Sequence, residues 1–307
     1  MSKYQDIYNS AQSPLKKNQI EIRSLLTNFL NEDIGTGDIT SNVLINEKMD
    51  ATAKIICKNN DDVVVVSGLA EAKTIFDICD CTSNLLVNDG SILKGKTAVM
   101  VIQGSAKSIL KAERTALNLI MHMSGISTKT SQFVKKLGKF SEFVSVSSTR
   151  KTSPGLRYFD KKSVVIGGGI SHRYRLDQLI LIKDNHIAIV GSVNKAIQLI
   201  RSKYGSNRKI ECEVCDYNGI IDAINSGADI IMLDNFTSDL VHRSIEKIKN
   251  LGLRDKIIIE VSGGITLDNI YEYASAKPDV ISVGALTHSF QSIDYSLEIS
   301  SFNRAHF

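Results

Sequence analysis

From about residue 205 onward, short β-branched runs alternate with stretches whose apolar residues recur at helical spacing, and nothing else in the chain narrows its possible folds as much. Strands are expected at Ile210 to Val214, Ile230 to Leu233, Ile257 to Val261 and Val280 to Val283, with helices over Gly219 to Ser226, Asp239 to Leu251 and Leu267 to Ala274. Upstream, Phe143 to Ser147, Ser163 to Ile166 and Leu179 to Lys183 read as further strands, and Val193 to Lys203 as a helix. Roughly six or seven βα units then fit between residues 127 and 290, and parallel strands joined by helices close most readily into an α/β barrel.

The first 125 residues follow another pattern. An amphipathic helix from about Gln19 to Asn31 leads through a turn-rich segment to strands near Thr52 to Lys58, Val63 to Ser67 and Ala98 to Gln103. A long helix follows from about Ser105 to Met123, with Arg114 set among Leu110, Leu117 and Met121, where an arginine needs an anion to meet it. The expected organisation is an N-terminal α+β, sandwich-like domain over residues 1–126, with 291–307 packing on it, and an α/β barrel over 127–290. A chain of 307 residues is long enough for two such cores.

Composition removes several function classes. The net charge of +4 is small for this length and the basic residues form no long block, which argues against a nucleic-acid face. No run of eighteen apolar residues and no signal-like N-terminus occur, so neither membrane nor export is expected and a cytoplasmic protein is. Five cysteines, an odd number, read as reduced thiols; Cys212 and Cys215, three apart on an expected strand, point to opposite faces rather than forming a metal or redox pair.

Cationic and glycine-rich motifs crowd the segment from Thr149 to His186, which holds Arg150, Lys151, Arg157, Gly167-Gly168-Gly169, His172, Arg173 and Lys183. Arginine offers a planar fork to carboxylate or phosphate, lysine a point charge, and glycine a close backbone approach, so the segment reads as a pocket for a strongly anionic small molecule. Barrel chemistry sits at the C-terminal ends of strands, where Arg150, Lys151, Lys183, Glu213, Asp234, Ser262, Gly263, Gly264 and Gly284 are expected. Periodicity puts Glu211 and Glu213 on one strand face and does not choose between them. Arg157, Lys161, Lys162 and Arg175 read as solvated surface charges, and His186 and His288 equally as structural groups, either helix caps or core hydrogen-bonders, or as ligands. Lys183 at a strand end would also suit a Schiff-base aldolase.

Nine motifs in order, among them Glu32-Asp-Ile-Gly-Thr-Gly-Asp-Ile-Thr40, Glu113-Arg-Thr-Ala-Leu-Asn118, Thr149-Arg-Lys-Thr-Ser-Pro-Gly-Leu-Arg157, Gly167-Gly-Gly-Ile-Ser-His-Arg173, Leu181-Ile-Lys-Asp-Asn-His186 and Val283-Gly-Ala-Leu-Thr-His-Ser289, resemble those of the quinolinate phosphoribosyltransferases. The resemblance implies transfer of phosphoribosyl from phosphoribosyl pyrophosphate to quinolinate with decarboxylation, giving nicotinate mononucleotide, pyrophosphate and CO2 in NAD biosynthesis. It implies Arg150, His172, Arg173 and Lys183 on the quinolinate carboxylates, joined by Arg114 from a neighbouring subunit of a homodimer or of a hexamer built from dimers. By the same resemblance Lys151 covers pyrophosphate, Glu213 and Asp234 lie by the ribose and Mg2+, and Ser262, Gly263, Gly264 and Gly284 cradle the 5-phosphate. Lys151, Glu213 and Asp234 are then the expected catalytic residues. Arg175 and Cys215 depart from the family's usual residues.

Overall fold

A computed structural model describes residues 19–59 and 63–303. The polar extension over 1–18 and the last four residues lie outside them. The described chain divides into two units, Thr130–Ser289 and the remainder, to which residues 290–303 belong.

In chain order the elements are α1 (Gln19–Ile34), α2 (Ile39–Leu44), β1 (Asp50–Cys57), β2 (Val63–Val65), α3 (Leu69–Ile78), β3 (Thr82–Leu85), β4 (Ile92–Lys94), β5 (Thr97–Ser105) and the long α4 (Ala106–Lys136). They continue with β6 (Ser145–Ser147), α5 (Arg157–Ile166), β7 (Ile180–Ile182), α6 (Asp184–Val190), α7 (Val193–Tyr204), β8 (Ile210–Val214), α8 (Tyr217–Asn225) and β9 (Ile230–Asp234). The last are α9 (Ser238–Asn250), β10 (Ile258–Ser262), α10 (Ile270–Ser275), β11 (Val280–Ser282), α11 (Ala285–His288) and β12 (Tyr295–Phe302).

The smaller unit is α+β. Its four-stranded antiparallel sheet runs β12-β1-β5-β3, and β2 with β4 makes a separate two-stranded ribbon. Chain-terminal β12, which has no counterpart among the expected strands, lies along the whole of β1, from Ala51 opposite Phe302 to Cys57 opposite Tyr295. Hydroxyls of α4 complete the ribbon's backbone: Thr128 Oγ1 accepts from the Val65 N–H at 2.9 Å and Ser124 Oγ from the Ser67 N–H at 3.1 Å. The helix expected to stop at Met123 therefore runs on to Lys136, and the expected boundary at 126 falls inside it.

In the larger unit six parallel strands hydrogen-bond in the order β6-β11-β10-β9-β8-β7. β7 to β11 are neighbours in both sequence and space, and the first strand, β6, pairs with the last, β11, which leaves β6 and β7 at the two ends of the order. On its other side β6 is bridged, through Ser147, to Ile170 in the segment that precedes β7. The strands of β8 to β11 are almost wholly buried, as parallel strands covered by helices must be. Short polar residues start the covering helices: Ser192, Asp216 and Thr237 each accept a backbone N–H from the first turn of α7, α8 and α9. Leu179, Ile230, Ile258 and Val280 pack together with Ile170 at the strands' N-terminal ends.

One expected strand is a helix. Ser163 to Ile166 is the last turn of α5, where Ser163 Oγ donates to the Phe159 carbonyl at 2.7 Å. The β-branched pair Val164-Val165 mimicked a strand, but it closes a helix that buries Tyr158 to Lys161, Ser163 and Val164.

Gly125, in the middle of α4, is a position where a helix should prefer alanine. The Gln291 carbonyl oxygen would lie 2.4 Å from an added Cβ, and the Phe290 ring 2.9 Å. Gly125→Ala should therefore destabilise by about 1–3 kcal/mol through overpacking, despite its better helix propensity. A melting temperature equal to or above that of the parent protein would refute this close approach.

Candidate active site

The C-terminal ends of the parallel strands surround a cavity of about 670 Å3 lined from Thr149 to His288. Arg150, Lys151, His172, Arg173, Lys183, Glu213, Asp234, Ser262, Gly263, Gly264 and Gly284 all line it. Arg114 lies in the other unit, on α4. Its side chain is 59% exposed and its guanidinium stands 3.7 Å from Glu113, so it belongs to the helix's exposed face with Lys111 and Asn118 rather than to the buried stripe of Ile109, Ala112, Ala116 and Ile120.

The cationic residues are placed in different ways. The Lys151 carbonyl accepts from Thr287 Oγ1 at 2.8 Å, which fastens the segment after β6 to the one after β11. Arg173 is nearly buried, and one of its guanidinium nitrogens donates to the Leu179 carbonyl at 3.0 Å. Arg150 keeps its Nε buried with no hydrogen-bond partner among the described residues, a donor available to an incoming acceptor. Lys183 starts α6 and ion-pairs with Glu213 at 2.9 Å. A half-exposed lysine on a carboxylate is unlike the desolvated amine of a Schiff-base enzyme, and the aldolase alternative loses its main support.

Glu211 and Glu213 share a strand face but not an environment. Glu213 reaches the cavity, whereas Glu211 is fully buried beside His172 and Glu260. Asp234, on the next strand, has its carboxyl raised by burial and then by the nearby Glu213. Two carboxylates that repel each other at a pocket mouth are a donor set for a hard cation.

The His172, Glu211 and Glu260 side chains also come within ligand distance of one another. His172 Nε2 lies 3.4 Å from Glu260 and 3.5 Å from Glu211, while its Nδ1 accepts the Arg173 N–H at 2.7 Å. An imidazole accepting at Nδ1 carries its proton on Nε2, the nitrogen facing the carboxylates, so no lone pair is left there for a metal. Burial works against charge on this ring, but Glu260 and Glu211 outweigh it and hold its pKa up to about 9. In the same cluster burial, with Glu260 next, raises the Glu211 carboxyl. Glu260 accepts from Ser282 Oγ at 2.5 Å. It was hidden within the apolar run Ile257 to Val261, and a lone acid inside such a run is the signal that could have marked it.

Part of the lining is glycine backbone. Gly263 (φ +92°) and Gly264 (φ +62°) take left-handed conformations, and Asn235, also left-handed, fills the space behind Gly263. Lys151 and His288 pack over Gly284, at 3.1 and 3.0 Å from where a Cβ would stand. Thr266 and Asn269 cap each other reciprocally in the turn before α10.

The remaining residues divide. His186 is a helix cap, its Nδ1 accepting the Lys183 N–H at 2.9 Å, whereas His288 lines the cavity. Arg175 is exposed and grips Asp177 by two bonds of 3.1 Å, away from the cavity lining. Arg157, expected in solvent, instead ties Thr152 Oγ1 to the Tyr174 carbonyl. Lys161, also expected in solvent, is completely buried. Cys215 is exposed and Cys212 buried, so the two thiols do not meet. Among the described residues no helix is long and apolar enough to cross a membrane.

Comparison with known proteins finds family models for the quinolinate phosphoribosyl transferase N-terminal domain over residues 38–124 and C-terminal domain over 126–298. The chain is 44% identical over 277 residues to a probable nicotinate-nucleotide pyrophosphorylase (carboxylating) of Methanocaldococcus jannaschii, spanning 90% of this chain and 96% of the relative. A Bacillus subtilis protein of the same description is 37% identical over 290 residues, covering 94% and 96%. The crystal structure of NadC from Streptococcus pyogenes superposes with a TM-score of 0.85 at 34% identity, covering 94% of this chain and 98% of that one.

An added Cβ on Gly263 would meet Asn235 Oδ1 at 2.2 Å and its backbone nitrogen at 2.7 Å, in a backbone conformation that L side chains avoid. Gly263→Ala should cost about 1–3 kcal/mol of stability and distort the glycine wall. Thermal unfolding beside ligand-binding measurements checks this, and a variant matching the parent in both would refute it.

Proposed function

Because the chain belongs to the quinolinate phosphoribosyltransferase family, we propose that it transfers the phosphoribosyl group of phosphoribosyl pyrophosphate to quinolinate and releases CO2. The products are nicotinate mononucleotide and pyrophosphate, and the pathway served is de novo NAD biosynthesis. One observation carries the reading to these residues: cations from separate chain segments, Arg150, His172, Arg173 and Lys183, converge on one cavity that also holds two carboxylates and a glycine wall.

Quinolinate brings two adjacent carboxylates, and two arginine forks with His172 and Lys183 match that charge and planarity. The free Arg150 Nε is one donor awaiting it. At the other end the Ser262-Gly263-Gly264 turn and Gly284 accept the 5-phosphate, and Lys151 lies over pyrophosphate. Glu213 and Asp234 fit Mg2+, being oxygen donors on neighbouring strands whose mutual repulsion a dication relieves. When bound, it neutralises phosphate charge as pyrophosphate leaves.

The pyridine nitrogen attacks C1 of the ribose as the bond to pyrophosphate breaks, through a state with oxocarbenium character. Glu213 and Asp234 stabilise that positive charge electrostatically. The ring nitrogen is then quaternary, and its positive charge stabilises the electron pair that stays on C2 when the 2-carboxylate departs as CO2. A proton from water completes C2. The clamp orients the ring throughout, and no covalent enzyme intermediate is needed.

The reading extends to a cytoplasmic homodimer, or a hexamer of dimers, in which Arg114 serves the neighbouring subunit's pocket. Its support is an exposed guanidinium on α4 whose nearest acid is Glu113 of the same helix.

Incubation with quinolinate, phosphoribosyl pyrophosphate and Mg2+ should release nicotinate mononucleotide and CO2 in equal amounts, and formation of neither would refute the assignment. Arg150→Ala should lower turnover by roughly 1,000-fold, the scale for losing a preorganised charged donor, and near-normal activity would remove Arg150 from the clamp. Nicotinate, with one carboxylate, should be a poor substrate; comparable turnover of both acids would contradict a two-carboxylate clamp.

A further inference from the structure

Lys161 is wholly buried on α5, and its ammonium contacts only neutral oxygens. Nζ donates to Ser148 Oγ at 3.3 Å and to the Ser171 carbonyl, and Ser148 Oγ itself donates to that carbonyl at 2.9 Å. Both serines are buried. Ser148 directly precedes Thr149, Arg150 and Lys151, and Ser171 directly precedes His172 and Arg173. The lysine thus ties together, from beneath the cavity, the two chain segments that carry most of its positive charge.

Stability gives no reason for a lysine here. A buried cation without a carboxylate partner is costly, and an apolar side chain of similar length would fill the same volume without that cost. The electrostatic surroundings add to the penalty. Burial first, then Arg157 and Arg150, push the Lys161 pKa down to about 7; Arg173 acts in the same sense, and Asp160 pulls the other way. Asp160 is itself engaged by the Ser153 N–H at 3.2 Å.

We propose that Lys161 is a positioning residue for the dicarboxylate clamp, cross-linking Ser148 and Ser171 so that Arg150 on one segment keeps its register with His172 and Arg173 on the other. The proposal rests on the reading of this cavity as the quinolinate site. It predicts a defect confined to the acid substrate, because Ser262, Gly263 and Gly264 belong to a different part of the wall.

The test is Lys161→Met, which keeps the length and removes the donor. The KM for quinolinate should rise about tenfold while that for phosphoribosyl pyrophosphate changes by less than about threefold. The variant should melt at or above the wild-type temperature near pH 7. The wild-type lysine is driven toward neutrality on folding, so its penalty is complete below about pH 7 and is relieved as pH rises toward its ordinary value of 10.5. The melting advantage of Lys161→Met should accordingly shrink between pH 7 and pH 10. An unchanged quinolinate KM, or an equal rise for both substrates, overturns the proposal.

If Lys161→Met does not fold, Ser148→Ala takes its place. A rise of about threefold in quinolinate KM alone supports the strut, and no rise overturns it. Should wild type bind quinolinate without turning over, the functional reading fails separately. Calorimetry with quinolinate alone then decides: weaker binding by the variant sustains the positioning role, and equal affinity ends it.

Discussion

Pairing of the first barrel strand with the last is the constraint on which the rest of the site depends. Each parallel strand ends in the same direction, so the residues that follow strands form a rim. The β6–β11 pairing sets the rim segment of the first strand beside that of the last. Across that seam Lys151 packs over Gly284, and Thr287 holds the Lys151 carbonyl, joining residues 136 positions apart. Without it, the segment carrying Arg150 and Lys151 would lose its neighbour in the sheet. The other side of β6 is secured by a single bridge to Ile170, just before the Ser171-His172-Arg173 turn. The thin part of the wall is therefore also where the cationic segments meet, and that is where Lys161 lies.

Charge in the cavity is layered by depth. Near the mouth, Lys183 balances Glu213, and Asp234 stands beside them with a raised carboxyl. Deeper, His172 is flanked by Glu260 and Glu211. Beneath these, Lys161 is a cation among neutral oxygens. The buried acids and Lys161 hold geometry, while the cavity-lining cations, His172 among them, remain able to meet ligands. This division explains how like-charged side chains crowd together: part of the mutual repulsion is absorbed by buried acids, and the remainder is what a dianion would satisfy.

Much of this was legible beforehand, because it depends on local chemistry. The βα periodicity beyond residue 205 identified β8 to β11 within a residue or two, since buried parallel strands read as β-branched runs and their helices carry polar caps. Motifs bearing the strand-end cations, acids and glycines could be picked out because such residues are rare together for reasons of packing. Two segments misled. Ser163 to Ile166 has strand-like composition but lies on α5, and the long helix outran its expected end because Gly125 is there for a close contact that no local rule reveals.

By itself the sequence determined the βα architecture, the anionic character of the ligand and the family, since each follows from residue types at short spacing. Periodicity left Glu211 and Glu213 equivalent and only the family resemblance favoured Glu213; the tertiary structure supplied the physical reason, since period-two alternation sets a face but not a depth. Tertiary structure alone moved Lys161 from solvent to the interior, separated His186 as a cap from His288 as a cavity wall, and placed β12 along β1. Those distinctions turn on neighbours far away in sequence. Burial and partner are properties of the packed chain, and spacing along it carries no record of them.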